Sequence, residues 1–324
     1  MININNNLYS FDLVTGIGGN KTVASVGEEK IISIADSFFS KTIADKPNVI
    51  EGIGDDAAVL TPISDDSYQL VTIDTIVEGT HFTSETSPEK TGWKAMAVNL
   101  SDIAAMGGIP EYAVISAAIP KKMPINFLEK LISGIYSAAE KFNVAVVGGD
   151  TVGSDILSIT ITLLGKVEKQ YLCTRDGAKQ ANIVAVTGSL GGSFKTDKHL
   201  NFMPRIEEAR WLVKNAKPCA MMDLSDGLAM DSSRIAKASN ISMRIFSDKL
   251  PVTPGFSIDN ALNDGEDFEL LCVFPEKILT SEIKNRFEDK FNLKLSVIGK
   301  TDNPPAKIYL DGNELETKSF NHFV

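Results

Sequence analysis

Two adjacent carboxylates, Asp55 and Asp56, close the turn Gly52-Ile53-Gly54 and open an apolar run, Ala57-Ala58-Val59-Leu60. Glycine permits close backbone approach, and two like charges side by side repel unless solvent or a bound cation relieves them. Oxygen-only ligands suit a hard cation, and Mg²⁺ binds through one or two carboxylates together with substrate phosphates. Taken alone, Gly-Asp-Asp equally describes a solvated turn. Downstream carboxylates favour the metal reading. Asp74 interrupts the alternating run Gln69 to Phe82, where Asp is a poor strand former, so Thr72 and Asp74 mark an expected second ligand group. Asp102, with Asn99 nearby, is flanked by Leu100, Ile103, Ala104 and Ala105, a partly buried place where a carboxylate needs a partner. A salt-bridge or helix-surface role fits that segment as well. Gly148-Gly149-Asp150 follows the apolar Val144 to Val147 and repeats the opening layout, putting a carboxylate where backbone approaches a phosphate. In Asp223-Leu224-Ser225-Asp226-Gly227 the first Asp and the Ser share a face, and Asp226-Gly227 turns into a helix whose N-terminus favours phosphate. Glu266 stands in one more acidic turn, Asp264-Gly265-Glu266-Asp267. Together these residues point to an all-oxygen, multi-metal site for phosphoryl transfer.

The elements that must carry these residues alternate between strand and helix periods. A helix is expected over Glu28 to Thr42, then the strand Gln69 to Phe82 with Val71, Ile73 and Val77 on a core side and Thr72, Asp74, Glu78 and Thr80 on a polar side. Ser87-Pro88 opens a helix that runs to Gly107-Gly108, followed by a strand Glu111 to Ile119, a helix Pro124 to Phe142 and a strand Ile156 to Val167. A polar connector, Glu168 to Gln180, sets the expected boundary: a loosely attached arm over 1–27, an N-terminal domain over 28–167 and a C-terminal α/β domain over 168–324. The second half reads as a strand Asn182 to Thr187, a Gly-rich loop, helices Arg205 to Asn215 and Leu228 to Ser239, strands near Ile241, Phe268 and Leu295, a helix from Pro275 and a hairpin Ile308 to Leu315. No GxxxxGK[ST] occurs, which excludes the P-loop way of holding nucleotide phosphates.

Composition narrows the class. The 324 residues carry a net charge of −10, which argues against nucleic acid or an anionic membrane as partner. An acidic chain that handles phosphates must bring its own counter-cations. Cys173, Cys219 and Cys272 are far apart and in no CxxC spacing, so neither a disulfide framework nor a zinc site is suggested. No apolar run reaches the ~20 residues of a spanning helix, and a cytoplasmic protein is expected.

The motifs also carry a resemblance. Gly52-Ile-Gly-Asp-Asp56, Asp74-Thr-Ile-Val-Glu-Gly-Thr-His-Phe82, Asn99-Leu-Ser-Asp-Ile-Ala-Ala-Met-Gly107, Gly148-Gly-Asp-Thr151, Thr174-Arg-Asp-Gly-Ala178, Asp223-Leu-Ser-Asp-Gly227 and Gly265-Glu-Asp-Phe-Glu-Leu270 resemble, in order, the motifs of the thiamine-monophosphate kinases. That family lies within the aminoimidazole ribonucleotide synthetase-like superfamily. The resemblance implies ATP-dependent phosphorylation of thiamine monophosphate to thiamine diphosphate with several Mg²⁺ ions. It further implies a two-domain α/β (α+β) fold whose N-terminal sheet closes a barrel with that of a second subunit in a homodimer. By position it assigns metal binding to Asp56, Thr72, Asp74, Asp102, Asp150, Asp223 and Asp226, with Asp74, Asp102 and Asp150 central to catalysis. Gly149, Asp150, Arg175 and Ser225 match ATP contacts, and His81, Glu266 and Phe320 match positions that hold the thiamine substrate. Departures occur at Ile73, where relatives carry a hydroxyl or Asp and only a backbone carbonyl could serve as ligand, at Asp264 in place of Gly, and at Phe320 in place of Tyr or Trp. Another ATP-dependent enzyme of the superfamily, or a non-catalytic Mg-nucleotide or thiamine-diphosphate binding protein, is the competing reading. A selenophosphate synthetase would want a reactive Cys near the N-terminus and a hydrogenase-maturation relative a C-terminal Cys, and the sequence shows neither.

Overall fold

Side-chain alternation and one central helix organise the first half of the computed structural model, which describes residues 48–51, 55–61 and 66–316. The expected arm 1–27, the helix Glu28 to Thr42, the Gly52-Ile53-Gly54 turn and Phe320 lie outside the described residues. The first sheet holds β1 (Val49–Glu51), β2 (Ala58–Leu60), β3 (Ser67–Val77), β4 (Ile109–Pro120), β5 (Ala145–Ser154) and β6 (Ser158–Glu168), in the order β1-β2-β3-β6-β4-β5. Among the described strands of this sheet, only β4 and β5 run parallel to each other. Along β6, Ile159, Ile161 and Leu163 are buried while Ser158, Thr160 and Thr162 alternate with them, as expected of a strand with one covered face.

Strand β3 corrects the sequence reading in two ways. Its register pairs Thr72 with Leu163 and Asp74 with Ile161, so the polar residues lie on the buried face, beside Leu70 and Ile76. Ile73 is on the opposite face and 62% exposed. A two-residue period defines two faces without saying which is covered, and here the covered one is the face that a carboxylate must present to the neighbouring helix. The strand also ends at Val77 rather than Phe82, because Gly79 at φ +86° turns the chain and the Val77 N–H donates to His81 Nδ1 at 3.0 Å.

That helix, α1 (Pro88–Ala105), packs on α2 (Ile125–Lys141) with almost no space between backbones. A Cβ on Gly92 would stand 2.0 Å from the Leu131 carbonyl, and one on Gly134 2.0 Å from that of Glu89, so both positions need glycine. Gly148-Gly149-Asp150 forms part of β5, not a turn after a strand. Gly149 pairs with Ile115 of β4, whose carbonyl oxygen would lie 2.1 Å from any added Cβ.

The second half contributes β7 (Ile183–Thr187), α3 (Lys198–Asn201), α4 (Ile206–Asn215), β8 (Ala220–Asp223), α5 (Leu228–Ala238), β9 (Ser242–Ile245), α6 (Ile258–Asn263), β10 (Leu270–Phe274), α7 (Ser281–Phe291), β11 (Leu295–Asp302), β12 (Ile308–Leu310) and β13 (Asn313–Glu314). Its sheet runs β13-β12-β9-β11-β7-β10-β8, with β12 and β9 parallel. Every residue of Leu270-Leu-Cys-Val-Phe274 is buried. Leu270, Cys272 and Phe274 enter the core shared with α1, whereas Leu271 and Val273 enter a second core with α5 and α6. A strand covered on both faces reads as a continuous apolar run. The helix expected from Pro275 begins instead at Ser281, where the Thr280 hydroxyl accepts the Ile283 N–H at 3.3 Å and caps it.

Candidate active site

Two consecutive residues of α1 reach into both halves of the chain. Ser101 Oγ donates to Asp223 Oδ2 at 2.5 Å at the end of β8, and Asp102 Oδ2 accepts from Thr72 Oγ1 at 2.5 Å on β3. Asp56, just before β2, completes a group of three: one carboxylate oxygen from each of Asp56, Asp102 and Asp223 lies within 4.8 Å of the others. Burial, then the neighbouring charges of Asp74, Asp223 and Asp56, holds the Asp102 carboxyl well above the usual carboxylate range. Asp223 is held well above it by burial and by Asp56, and Asp74 is raised by burial although a hydrogen bond with Asp102 opposes the shift. Such a set of hard oxygen donors, crowded until their protons bind too tightly, fits a divalent hard cation.

Arg175 supplies the positive charge this cluster does have. Its Nη2 donates to Asp56 Oδ1 at 2.5 Å and its Nε to Asp56 Oδ2 at 3.1 Å, a two-point grip, while its backbone N–H donates to Asp55 Oδ2 at 3.0 Å. Burial would lower its pKa, but Asp56 and Asp55 more than offset that and hold it above its ordinary value. Asp55, buried beside Asp56, is pushed up to about 7. On the far side Asp226 pairs with Arg234, whose Nη1 also donates to Asp231 Oδ1 at 2.6 Å. Asp231 Oδ2 accepts the Asp226 N–H at 3.1 Å, which fixes the start of α5.

The Glu266 turn leans on the same segment. Gly265, Glu266 and Phe268 have φ of +71°, +51° and +48°, and the Glu266 N–H donates to the Ser225 carbonyl at 2.7 Å. Glu266 Oε2 accepts from Lys94 Nζ at 2.6 Å, and the same ammonium donates to the His81 carbonyl at 3.0 Å. Burial pushes the Lys94 ammonium down and Glu266 pulls it partly back. Since His81 Nδ1 accepts the Val77 N–H, a neutral ring carries its proton on Nε2.

The structure therefore gathers Asp56, Thr72, Asp74, Asp102, Arg175, Asp223, Ser225 and Asp226 into one region, with His81 and Glu266 joined through Lys94. Gly149 and Asp150 sit apart from the three-carboxylate group, exposed on β5, where they line a cavity of about 1160 Å³ with Tyr112, Ile115, Leu131 and Ile135. Ile73 turns its side chain away from the cluster. Lys94, Ser101, Arg234 and Asp231 escaped the sequence reading. The available signal was a lysine set among Trp93, Ala95, Met96 and Ala97, seven residues before Ser101 and so on its helical face.

Comparison with known proteins matches the family "AIR synthase related protein, N-terminal domain" over residues 54–167 and "AIR synthase related protein, C-terminal domain" over 176–309. The thiamine-monophosphate kinase of Rhodopirellula baltica is 40% identical over 250 residues, covering 71% of this chain and 78% of that protein. That of Buchnera aphidicola from Acyrthosiphon pisum is 34% identical over 323 residues, covering 90% and 98% respectively. The solved structure "AaThiL complexed with AMPPCP and TMP" aligns with a TM-score of 0.81 at 30% identity, covering 94% of this chain and all of that one. The motif order, the two-sheet architecture and these likenesses over most of the chain agree, and the chain belongs to the thiamine-monophosphate kinase family.

Proposed function

We propose that this chain phosphorylates thiamine monophosphate with ATP, giving thiamine diphosphate and ADP. The observation that carries the reading is the convergence of Asp56, Asp102 and Asp223 from three separate elements, beside Arg175, in a chain of this family. A terminal phosphate oxygen of thiamine monophosphate attacks the γ-phosphorus of ATP, and the bond from that phosphorus to the β–γ bridging oxygen breaks as the new P–O bond forms. The attacking oxygen is already anionic, so no strong general base is required, and catalysis is positioning plus electrostatics. Asp56, Asp74, Asp102, Asp223 and Asp226, with Asp150 brought in by the nucleotide, would hold Mg²⁺, with Thr72 and the Ile73 carbonyl as further oxygen donors. When bound, Mg²⁺ offsets phosphate charge and aligns the reacting groups.

The chain's own groups have definite tasks. Arg175 keeps a fixed positive charge beside the carboxylates, and an ATP phosphate that reaches it competes with Asp56 for the guanidinium. Gly149 and Ser225 offer backbone to the nucleotide. His81, with its proton on Nε2, donates to the acceptor phosphate, and Glu266 faces the cationic thiamine ring, with Phe320 as the aromatic contact. The outer face of the first sheet, with Ile73, Tyr112 and Val147 at 62%, 49% and 62% exposure, is the surface on which a second copy would close a barrel in a homodimer. Purified protein incubated with ATP, Mg²⁺ and thiamine monophosphate tests the reading, with thiamine diphosphate and ADP followed by chromatography. Equal formation of both products is expected. ADP release that does not depend on thiamine monophosphate would refute it.

A further inference from the structure

Resting on the kinase reading above, we propose that Lys94 is a positioning residue of the acceptor site: its ammonium ties the Glu266 carboxylate to the His81 turn, so that two groups from opposite halves of the chain address one ligand. The side chain of Lys94 is 0% exposed, and its ammonium meets two oxygens, Glu266 Oε2 at 2.6 Å and the His81 carbonyl at 3.0 Å. A buried ion pair contributes little net stability over apolar side chains of the same volume, so stability alone does not account for a lysine here. Position does. The backbone of the Glu266 turn is already fixed by its N–H on the Ser225 carbonyl, which leaves the direction of the carboxylate to its partner. Glu266 keeps 16% side-chain exposure, enough for its other oxygen to meet a ligand. His81 is held at both ends, the ring by the Val77 N–H and the carbonyl by Lys94. Neighbouring contacts make the arrangement stiff. Trp93 Nε1 donates to the Phe202 carbonyl at 2.9 Å, and the Phe202 and Phe268 rings stack at 4.0 Å, so a second link through Phe202 joins α1 to the end of the Glu266 turn.

The bridge makes the acceptor half of the site sensitive to Lys94 while the nucleotide half is held by other groups. Steady-state kinetics on Lys94→Met, Glu266→Gln and the double variant, with each substrate varied in turn, tests this. Each single substitution should raise the KM for thiamine monophosphate about tenfold or more, with the KM for ATP within about twofold and kcat within about threefold. The double variant should be no more than about twofold worse than the worse single one, because both changes cut one link. A Lys94→Met enzyme that melts cooperatively with an unchanged thiamine monophosphate KM overturns the inference, as do single losses that multiply in the double variant. Should Lys94→Met fail to fold, Lys94→Met/Glu266→Met removes both charges at similar volume and is read in its place, with the same selective rise expected and an unchanged KM as the overturning result. Wild-type protein without turnover overturns the kinase reading and this inference together. Normal wild-type turnover with an insensitive variant overturns the inference alone.

Discussion

Replacing Asp102 with Asn should stabilise the metal-free protein and silence the enzyme. Carboxylate oxygens of Asp56, Asp102 and Asp223 lie within 4.8 Å of one another, and at an effective dielectric constant of about 20 each charge pair at that distance repels by about 3.5 kcal/mol. The amide of Asn keeps an oxygen to accept from Thr72 Oγ1 and gains an N–H₂ to donate to its neighbours, so charge is removed without orphaning the hydroxyl. Partial protonation and Arg175 already relieve some of the repulsion, which leaves a net gain of about 2–3 kcal/mol, or about 3–5 °C in Tm for a chain of this size. The sign follows from linkage. Carboxyls raised by burial, to about 7 at Asp55 and Asp231, keep protons in the folded state that the unfolded chain has released, so metal-free stability falls as pH rises through those values. Asp102 is raised in the same direction, so the gain from Asp102→Asn should grow as the pH rises. Differential scanning fluorimetry in EDTA, repeated with Mg²⁺ and a non-hydrolysable ATP analogue, reads both effects. Wild type should gain stability from Mg²⁺ and nucleotide, while the variant gains little and loses turnover by about a hundredfold or more. A lower metal-free Tm in Asp102→Asn, or an undiminished Mg²⁺-nucleotide shift, would refute the reasoning.

Three other outcomes are expected. His81→Ala should raise the KM for thiamine monophosphate about tenfold with the ATP requirement unchanged, since it removes an acceptor contact; a rise for ATP alone would misplace the acceptor pocket. Arg205→Met should lower Tm by about 4–5 °C, a loss of about 3 kcal/mol, because it removes the two-point partner of the buried Glu269, held at 2.8 Å twice, and leaves that carboxylate with Lys198 and the Thr187 hydroxyl. Burial raises the Glu269 carboxyl, but Lys198 and Arg205 more than offset it and hold it below its ordinary value. Its contribution should thus persist at neutral pH and vanish only as pH falls through that lowered value; equal melting of wild type and variant at pH 7 would contradict this. Light scattering at micromolar concentration should give a dimer for wild type and a monomer for Ile73→Lys, and a wild-type monomer would rule out pairing through the outer sheet face.

What was legible in the sequence follows what is local. The alternation of Leu157, Ile159, Ile161 and Leu163 named a strand and its covered face together, because only one face is apolar. Strand β3 carries Val71, Ile73 and Val77 on one face and Thr72, Asp74 and Ile76 on the other, and the periodicity alone misassigned the inside. What decides it is a long-range partner, Asp102 on α1, which no spacing within the strand reveals. Gly148-Gly149 read as a turn because glycine punctuates loops, yet here the missing Cβ admits the Ile115 carbonyl of the adjacent strand. The acidic cluster was legible because buried carboxylates are rare enough to announce themselves. Lys94 was not, since a lysine beside Pro88-Glu89-Lys90 reads as the solvated start of a helix, and its counter-charge is 172 residues away.

Helix α1 mounts residues of the acceptor side and of the metal side on one element. Lys94, Ser101 and Asp102 stand at i, i+7 and i+8, so one rigid rod aims the first two at the Glu266 turn and Asp223 and the third, rotated by about 100°, at Thr72. A site that works by electrostatic preorganisation needs donors and charges whose positions do not relax when the ligand arrives. Helix α1 meets that requirement by burial: Met96, Leu100 and Ile103 are fully covered, and Gly92 and Gly134 let α2 press against it at backbone contact. A methyl group at Gly92 would have to displace the Leu131 carbonyl from 2.0 Å to an ordinary contact, moving α1 against α2 by more than an ångström. Displacements of that size at a remote position cost about a hundredfold in rate where reacting groups must align. In this fold the same shift would misplace Lys94 and Asp102 at once, so acceptor binding and metal-dependent chemistry would decline in step, unlike the selective loss at His81.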